Sequence, residues 1–176
     1  MNKIMLFAIA LAVVLTNQAS ASSSSTLHSW DTKIADASKR FVVLADFNDE
    51  AVLDNETGLV WERSPSGVAD WAPAFGVCIN KVVGNRLGWR LPTIQELLSL
   101  IDPAVPVAFP NLRLPAGHPF TNISAETGGY WSANASNGGG AWIMSFVSGS
   151  ATLNCNTSGC GKTLWCVRGG QGLDAQ

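Results

Sequence analysis

Four cysteines, Cys78, Cys155, Cys160 and Cys166, constrain this chain more than any other feature. What they do depends on the compartment, and the N-terminus speaks to that. Lys3 gives a short basic start, and Ile4 to Leu15 run apolar without a break. Ala19-Ser20-Ala21 then sets small residues at the two positions a signal peptidase reads. The apolar run is short for a bilayer span, so residues 1–21 read as a cleavable secretory leader. No cysteine stands at the cleavage point to carry a lipid. The mature chain is therefore expected in the periplasm, in the medium or at the cell surface, with no transmembrane anchor. In an oxidising compartment four cysteines read as two disulfides, for which three connectivities exist. Gly159 lets the Cys155–Cys160 loop close on itself, which leaves Cys78 for Cys166. The longer closure removes on the order of 4–5 kcal/mol of unfolded-chain entropy. Zinc is the competing use of cysteine, but there is no CxxC pair, and His28 and His118 are the only histidines. No metal or cofactor is expected.

Removing the leader leaves about 155 residues, enough for one domain with its own core. The formal net charge of the chain is −2, and no basic block occurs anywhere. That argues against nucleic acid as a partner, because binding to a polyanion rests on clustered Lys and Arg. The tryptophans from Trp61 to Trp165 belong to the domain and read as packing residues.

Residues 22–39 are serine-rich and polar and read as a tether, in which Trp30 to Ala37 has weak helical potential. The folded domain is expected over 40–170, with 171–176 as a tail. Phe41 to Leu44, Ala51 to Leu53 and Leu59 to Glu62 are β-rich and separated by turn chemistry at Asp46–Glu50 and Asp54–Gly58, so the domain opens with a β-meander. A first helix follows, capped by Asp70, with Trp71, Phe75 and Cys78 on one face and Pro73 in its first turn. A second begins with Thr93-Ile94-Gln95-Glu96, a capping box in which Thr93 and Glu96 satisfy each other's amides. Ile94, Leu97, Leu98 and Ile101 form its expected buried stripe, and Asp102-Pro103 its end. Prolines at 103, 106, 110, 115 and 119 then rule out helix or central strand. Tyr130 to Ala133, Ala141 to Val147 and Leu164 to Arg168 are the remaining expected strands, with 134–140 and 154–162 as connections.

Several of these segments, in this order, resemble one bacterial family. They are Asp54 to Trp61, Trp71 to Cys78, Gly88-Trp89-Arg90-Leu91-Pro92-Thr93 with Glu96-Leu97, Tyr130-Trp131-Ser132, and Cys166-Val167-Arg168-Gly169-Gly170. The family is the one named for the C-terminal domain of the Lcl collagen-like adhesin. The resemblance implies an α+β, C-type-lectin-like fold in which two helices pack on a small, twisted antiparallel sheet where the chain ends pair. It implies a disulfide from the first helix to the last strand, matching Cys78 with Cys166, and a shorter one matching Cys155 with Cys160. For function it implies recognition of an extracellular glycan or protein, or adhesion. The Glu-Pro-Asn, Gln-Pro-Asp and Trp-Asn-Asp tripeptides of calcium-dependent sugar-binding lectins are absent. Ca²⁺ takes about six to eight oxygen ligands, so binding here is expected to be calcium-independent.

Catalysis finds little support. His28 lies in the tether and His118 in the proline-rich loop with no evident partner, Glu62 ends a strand, Glu96 belongs to the capping box, and Asp102 ends a helix. The chain is expected not to be an enzyme. The C-terminal loops are the expected ligand surface, with Asn134, Asn137 and Asn156 as its adaptable hydrogen-bonding groups. The alternative is a structural subunit of an envelope or surface assembly, and a homo-oligomer fits either. Edman sequencing of exported protein should begin at Ser22, and intact Met1 in the membrane fraction would contradict the leader.

Overall fold

The strands of the computed structural model, which describes residues 33–125, 128–155 and 158–169, form two sheets that share their packing surfaces. In chain order the elements are α1 (Ala37–Arg40), β1 (Phe41–Val43), β2 (Ala51–Asp54), β3 (Leu59–Glu62), β4 (Val68–Ala69), α2 (Trp71–Ile79), α3 (Ile94–Ser99), β5 (Tyr130–Ala135), β6 (Gly140–Ser145), β7 (Ser150–Cys155), β8 (Lys162–Thr163) and β9 (Val167–Arg168). One sheet has the order β1-β2-β3-β9, all antiparallel. The other has the order β4-β8-β5-β6-β7, antiparallel except for β5 against β8. The architecture is mixed α+β with few helices.

Alternation along the strands feeds two cores at once. Val52, Trp61, Tyr130, Met144 and Val167 enter one apolar cluster, together with Phe41, Leu97 and Phe120. Ala51, Trp131, Ile143 and Cys166, their sequence neighbours, enter a second with Ala74, Cys78, Trp89 and Leu164. Trp165 is the hub of the first, with its ring 4.9 Å from Phe120, 5.3 Å from Phe146 and 5.5 Å from Trp61. Its indole N–H donates to the Glu62 carbonyl at 2.9 Å, so this fully buried tryptophan leaves no unpaired polar atom.

Two polar devices lock the elements to these cores. Arg40 donates from Nε and Nη2 to the two carboxylate oxygens of Asp54, at 2.9 and 2.8 Å, and from Nη2 to the Ser99 carbonyl at 2.8 Å. It thereby ties the first sheet to the end of α3. The Thr93–Glu96 capping box is present at the start of α3. The covalent tie is Cys78–Cys166, from α2 to the residue before β9, with Cα atoms 5.6 Å apart. Both cysteines are fully buried.

The opening meander, both helices and the long disulfide follow the sequence expectation, but several details differ. Ordered structure starts before residue 40: Asp36 caps α1 through the Ser38 amide, and Ala37 is buried, so this part of the expected tether is packed. There are two sheets where one was expected, and a parallel pair breaks the antiparallel pattern. β1 and β9 occupy opposite edges of the same sheet rather than pairing with each other. Helix α3 stops at Ser99, earlier than Asp102, and this turns Leu100 into the core while Leu98 is 39% exposed. The early stop follows from Leu100 and Ile101 amides bonding carbonyls of Leu97 and Leu98 in a tight last turn. β7 forms over Ser150–Cys155, where no strand was expected, and Asp70 caps α2 without a side-chain bond, its carboxylate accepting instead from Gly159 N–H at 3.1 Å. The expected Cys155–Cys160 bridge depends on a side chain outside the described residues.

Replacing Cys78 and Cys166 together by Ala should cost about 2–5 kcal/mol, the usual range for losing a native bridge from a small domain. Urea unfolding of the double variant against the parent under non-reducing conditions measures this, and an unchanged midpoint would contradict it.

Candidate functional site

The N-terminal ends of β2 and β9 and the C-terminal end of β3 meet near the loop after α2, and there a cavity of about 510 Å³ opens. Asp49 and Glu50 reach it from the turn before β2, Glu62 from the end of β3, and Arg63, Ser64 and Ser66 from the chain that follows. Lys81, Val82 and Val83 come from the loop after α2, and Thr121 from the proline-rich segment. Two left-handed residues in succession, Asn48 and Asp49 (φ 53° and 59°), turn the chain into β2. Gly84 (φ 57°) lies against the Phe47 backbone where a Cβ has no room, and this close approach lets its N–H donate to Glu50 Oε2 at 2.7 Å.

Glu62 forms the floor. Its Oε2 accepts from the Cys166 amide at 2.6 Å, and its Oε1 is ion-paired with Lys81, whose ammonium group also donates to the Ser66 carbonyl at 3.1 Å. Burial pushes the Glu62 pKa up, against the opposing pull of Lys81 and the Cys166 N–H. Arg63 is held differently. Nε donates to the Pro119 carbonyl and Nη1 to the Asp49 carbonyl, both at 3.2 Å, and no carboxylate pairs with it among the described residues. The cavity therefore presents a fixed guanidinium, exposed carboxylates on Asp49 and Glu50, and the hydroxyls of Ser64, Ser66 and Thr121.

The sequence-derived site residues sit elsewhere and do not converge. Asn134 accepts the Ile94 amide proton through Oδ1 at 2.7 Å, which makes it a second cap of α3, with its carbonyl group committed to the backbone. Asn137 is exposed at the turn between β5 and β6. Asn156 lies outside the described residues. Thr93 and Glu96 take the capping roles expected of them, and Glu96 does more. Arg90 grips its two oxygens from Nη1 and Nη2 at 2.9 and 2.7 Å, and the same Nη2 donates to the Gly169 carbonyl at 2.8 Å. His118 packs 5.7 Å from Phe120 with a buried, unbonded Nδ1, and burial holds its pKa down. No group of three or more His, Cys, Asp or Glu side chains suited to a metal occurs among the described residues, nor any helix long and apolar enough to cross a membrane.

Glu50, Arg63 and Lys81 were not singled out from the sequence, since each stands in a turn with no motif. The available signal was Glu62 itself, a carboxylate ending the apolar run Leu59-Val60-Trp61, which needs a buried partner.

A family model, Lcl C-terminal domain, matches residues 50–168, from Glu50 at the edge of the cavity to the end of β9. The chain belongs to the Lcl C-terminal domain family. The match covers β2 to β9, the disulfide and all of the cavity except Asp49. No curated protein matches the chain.

The bidentate Arg90 contact sets what Glu96→Gln should do. Gln can complete a capping box, but it cannot serve a bidentate guanidinium as a carboxylate does. The substitution should cost about 1.5–3 kcal/mol, the range for hydrogen bonds to charged groups. Burial opposes ionisation of Glu96, but the Arg90 and Thr93 hydrogen bonds and the Arg90 charge outweigh it and hold the pKa below its ordinary value. A depressed folded-state pKa means stability that is complete above the unfolded value and lost as the pH falls through the folded one. The gap between parent and variant in chemical denaturation should therefore be full near neutrality and shrink in acid. A gap independent of pH would contradict this.

Proposed function

We propose that this Lcl C-terminal domain is an exported, non-enzymatic recognition module. It binds a polar group on an extracellular glycan or protein, without calcium, in the cavity bounded by Glu50, Glu62, Arg63 and Lys81. The observation that carries the reading is the commitment of Glu62, the buried carboxylate of the cavity. Each of its oxygens already has a partner, one in Lys81 and one in the Cys166 amide, and these contacts hold it as a structural tie beneath the cavity. A general acid or base must reach the proton it moves, and a nucleophile needs such a base beside it. Ser64 Oγ instead accepts from Asn122 Nδ2 at 2.6 Å, and His118 is not among the lining residues. What remains is a fixed arrangement of donors and acceptors in a cleft of the size that holds small ligands.

Export is supported by the buried disulfide and by the leader-like start of the chain. A C-type-lectin-like fold is supported by the bridge from a helix to the residue before the last strand and by β1 and β9 sharing one sheet. A second reading, the structural subunit, is favoured by one observation. Ile79 at the end of α2, and Val82 and Leu87 on the chain after it, are each about 60% exposed, apolar surface that a partner subunit would cover.

Glycan and peptide arrays probed with the mature protein test the proposal, with bound material analysed by mass spectrometry. The expected result is binding that survives EDTA, returns the ligand chemically unchanged, and is lost in Arg63→Gln. Turnover of a ligand would refute the non-enzymatic reading. A closed oligomer in light scattering with no array signal would favour the subunit.

A further inference from the structure

Opposite charges facing each other across paired strands ordinarily join. One step beyond the Ala51–Glu62 pair of β2 and β3, the Arg63 amide donates to the Glu50 carbonyl at 2.9 Å, so the two residues are cross-strand neighbours. Yet their side chains form no ion pair. Glu50 is drawn to the Gly84 amide through Oε2, and Arg63 is drawn to the carbonyls of Pro119 and Asp49 through Nε and Nη1. Glu50 Oε1, Arg63 Nη2 and the Asp49 carboxylate have no hydrogen-bond partner among the described residues. All three residues line the same cavity. Beneath them Lys81 and Glu62 satisfy each other, so the floor contributes no unbalanced charge.

We infer that the cavity takes a dipolar ligand of α-amino-acid type, its carboxylate on Arg63 and its ammonium group toward Glu50 and Asp49. This rests on the reading of the cavity as the ligand site and names the chemistry it selects. The two poles are held apart by separate backbone partners, so a ligand carrying both charges supplies the ion-pair contacts that the two side chains do not make with each other. That is preorganisation, which spares the ligand the cost of ordering the site. A planar guanidinium with a spare N–H suits a carboxylate. Ser64, Ser66 and Thr121 leave hydroxyls for a polar side chain, and Val82 and Val83 supply a small apolar strip. A neutral sugar fits less well, because no aromatic ring lines the cavity to receive its apolar face.

Isothermal titration of the mature protein with single L-amino acids, and with methyl glycosides of neutral hexoses, tests this. The strongest amino-acid ligand is then compared with its N-acetyl and carboxamide derivatives. At least one amino acid should bind, and blocking either pole should weaken it about tenfold or more, the loss expected for a desolvated charge-assisted contact. Arg63→Gln and Glu50→Gln should each weaken the parent amino acid while unfolding within the range of the wild type. Because the derivatives are tested on wild-type protein, a poorly folded variant does not spoil the result. Derivatives that bind as well as the parent, or glycosides alone binding, would overturn the dipolar ligand and leave the cavity as the recognition site. No binding by any amino acid also overturns it, and the array signal and its sensitivity to Arg63→Gln then decide whether the recognition reading stands.

Discussion

The bond between Cys78 and Cys166 is one side of a closed ring of contacts on which both the core and the cavity depend. Cys166 donates its amide proton to Glu62, Glu62 pairs with Lys81, and the Lys81 amide donates to the Cys78 carbonyl at 3.1 Å. A covalent link, two hydrogen bonds and an ion pair thus complete a circuit through α2, the end of β3 and the start of β9. A buried ion pair of this kind is weak evidence for net stability, since desolvation offsets much of its attraction. Its effect is on geometry, because removing either partner strands a charge in the interior. The circuit fixes where the floor of the cavity lies relative to the sheet.

That geometry is possible because β2, β3 and β9 have no idle face. Trp61 and Val167 point into one core while Cys166 and Ala51 point into the other, so a shift of one residue in β2, β3 or β9 would exchange the contents of both. Register is therefore specified from two sides. The polar exceptions, Arg40 with Asp54 and Glu62 with Lys81, sit at strand ends, where the backbone carbonyls and amides of neighbouring elements can complete their hydrogen bonds.

How much of this could be read from the sequence follows from whether the signal was local. The meander, the capping box and the helical face ending in Cys78 are encoded within a few residues each, and they matched. β7 was missed because Ser150-Ala151-Thr152-Leu153-Asn154-Cys155 is an edge strand beside β6 alone, short of the large apolar residues that mark a buried strand. Leu98 and Leu100 were exchanged because the stripe argument assumes the helix continues, and α3 ends a turn too soon for that. Asn134 looked like a loop donor, but its role as a cap of α3 depends on a helix start 40 residues earlier in the chain. The cavity was the least legible part. Its lining comes from four separated stretches, none carrying a motif, and only folding brings them together.

The proline-rich segment has a further property. The Asp102 amide donates to the Arg113 carbonyl at 2.9 Å, and the Arg113 guanidinium holds the carbonyls of Pro103, Val105 and Ser148. These contacts pinch the chain at its base, with Leu114 anchored in the core just beyond. The stretch outside that clasp, where Val107 and Phe109 stand in solvent, contributes no fully buried side chain. Lengthening a loop already closed at its root changes its closure entropy only slowly. Residues 106–111 thus form a replaceable cassette, in which new sequence can be grafted while the clasp, both cores and the cavity keep their shape.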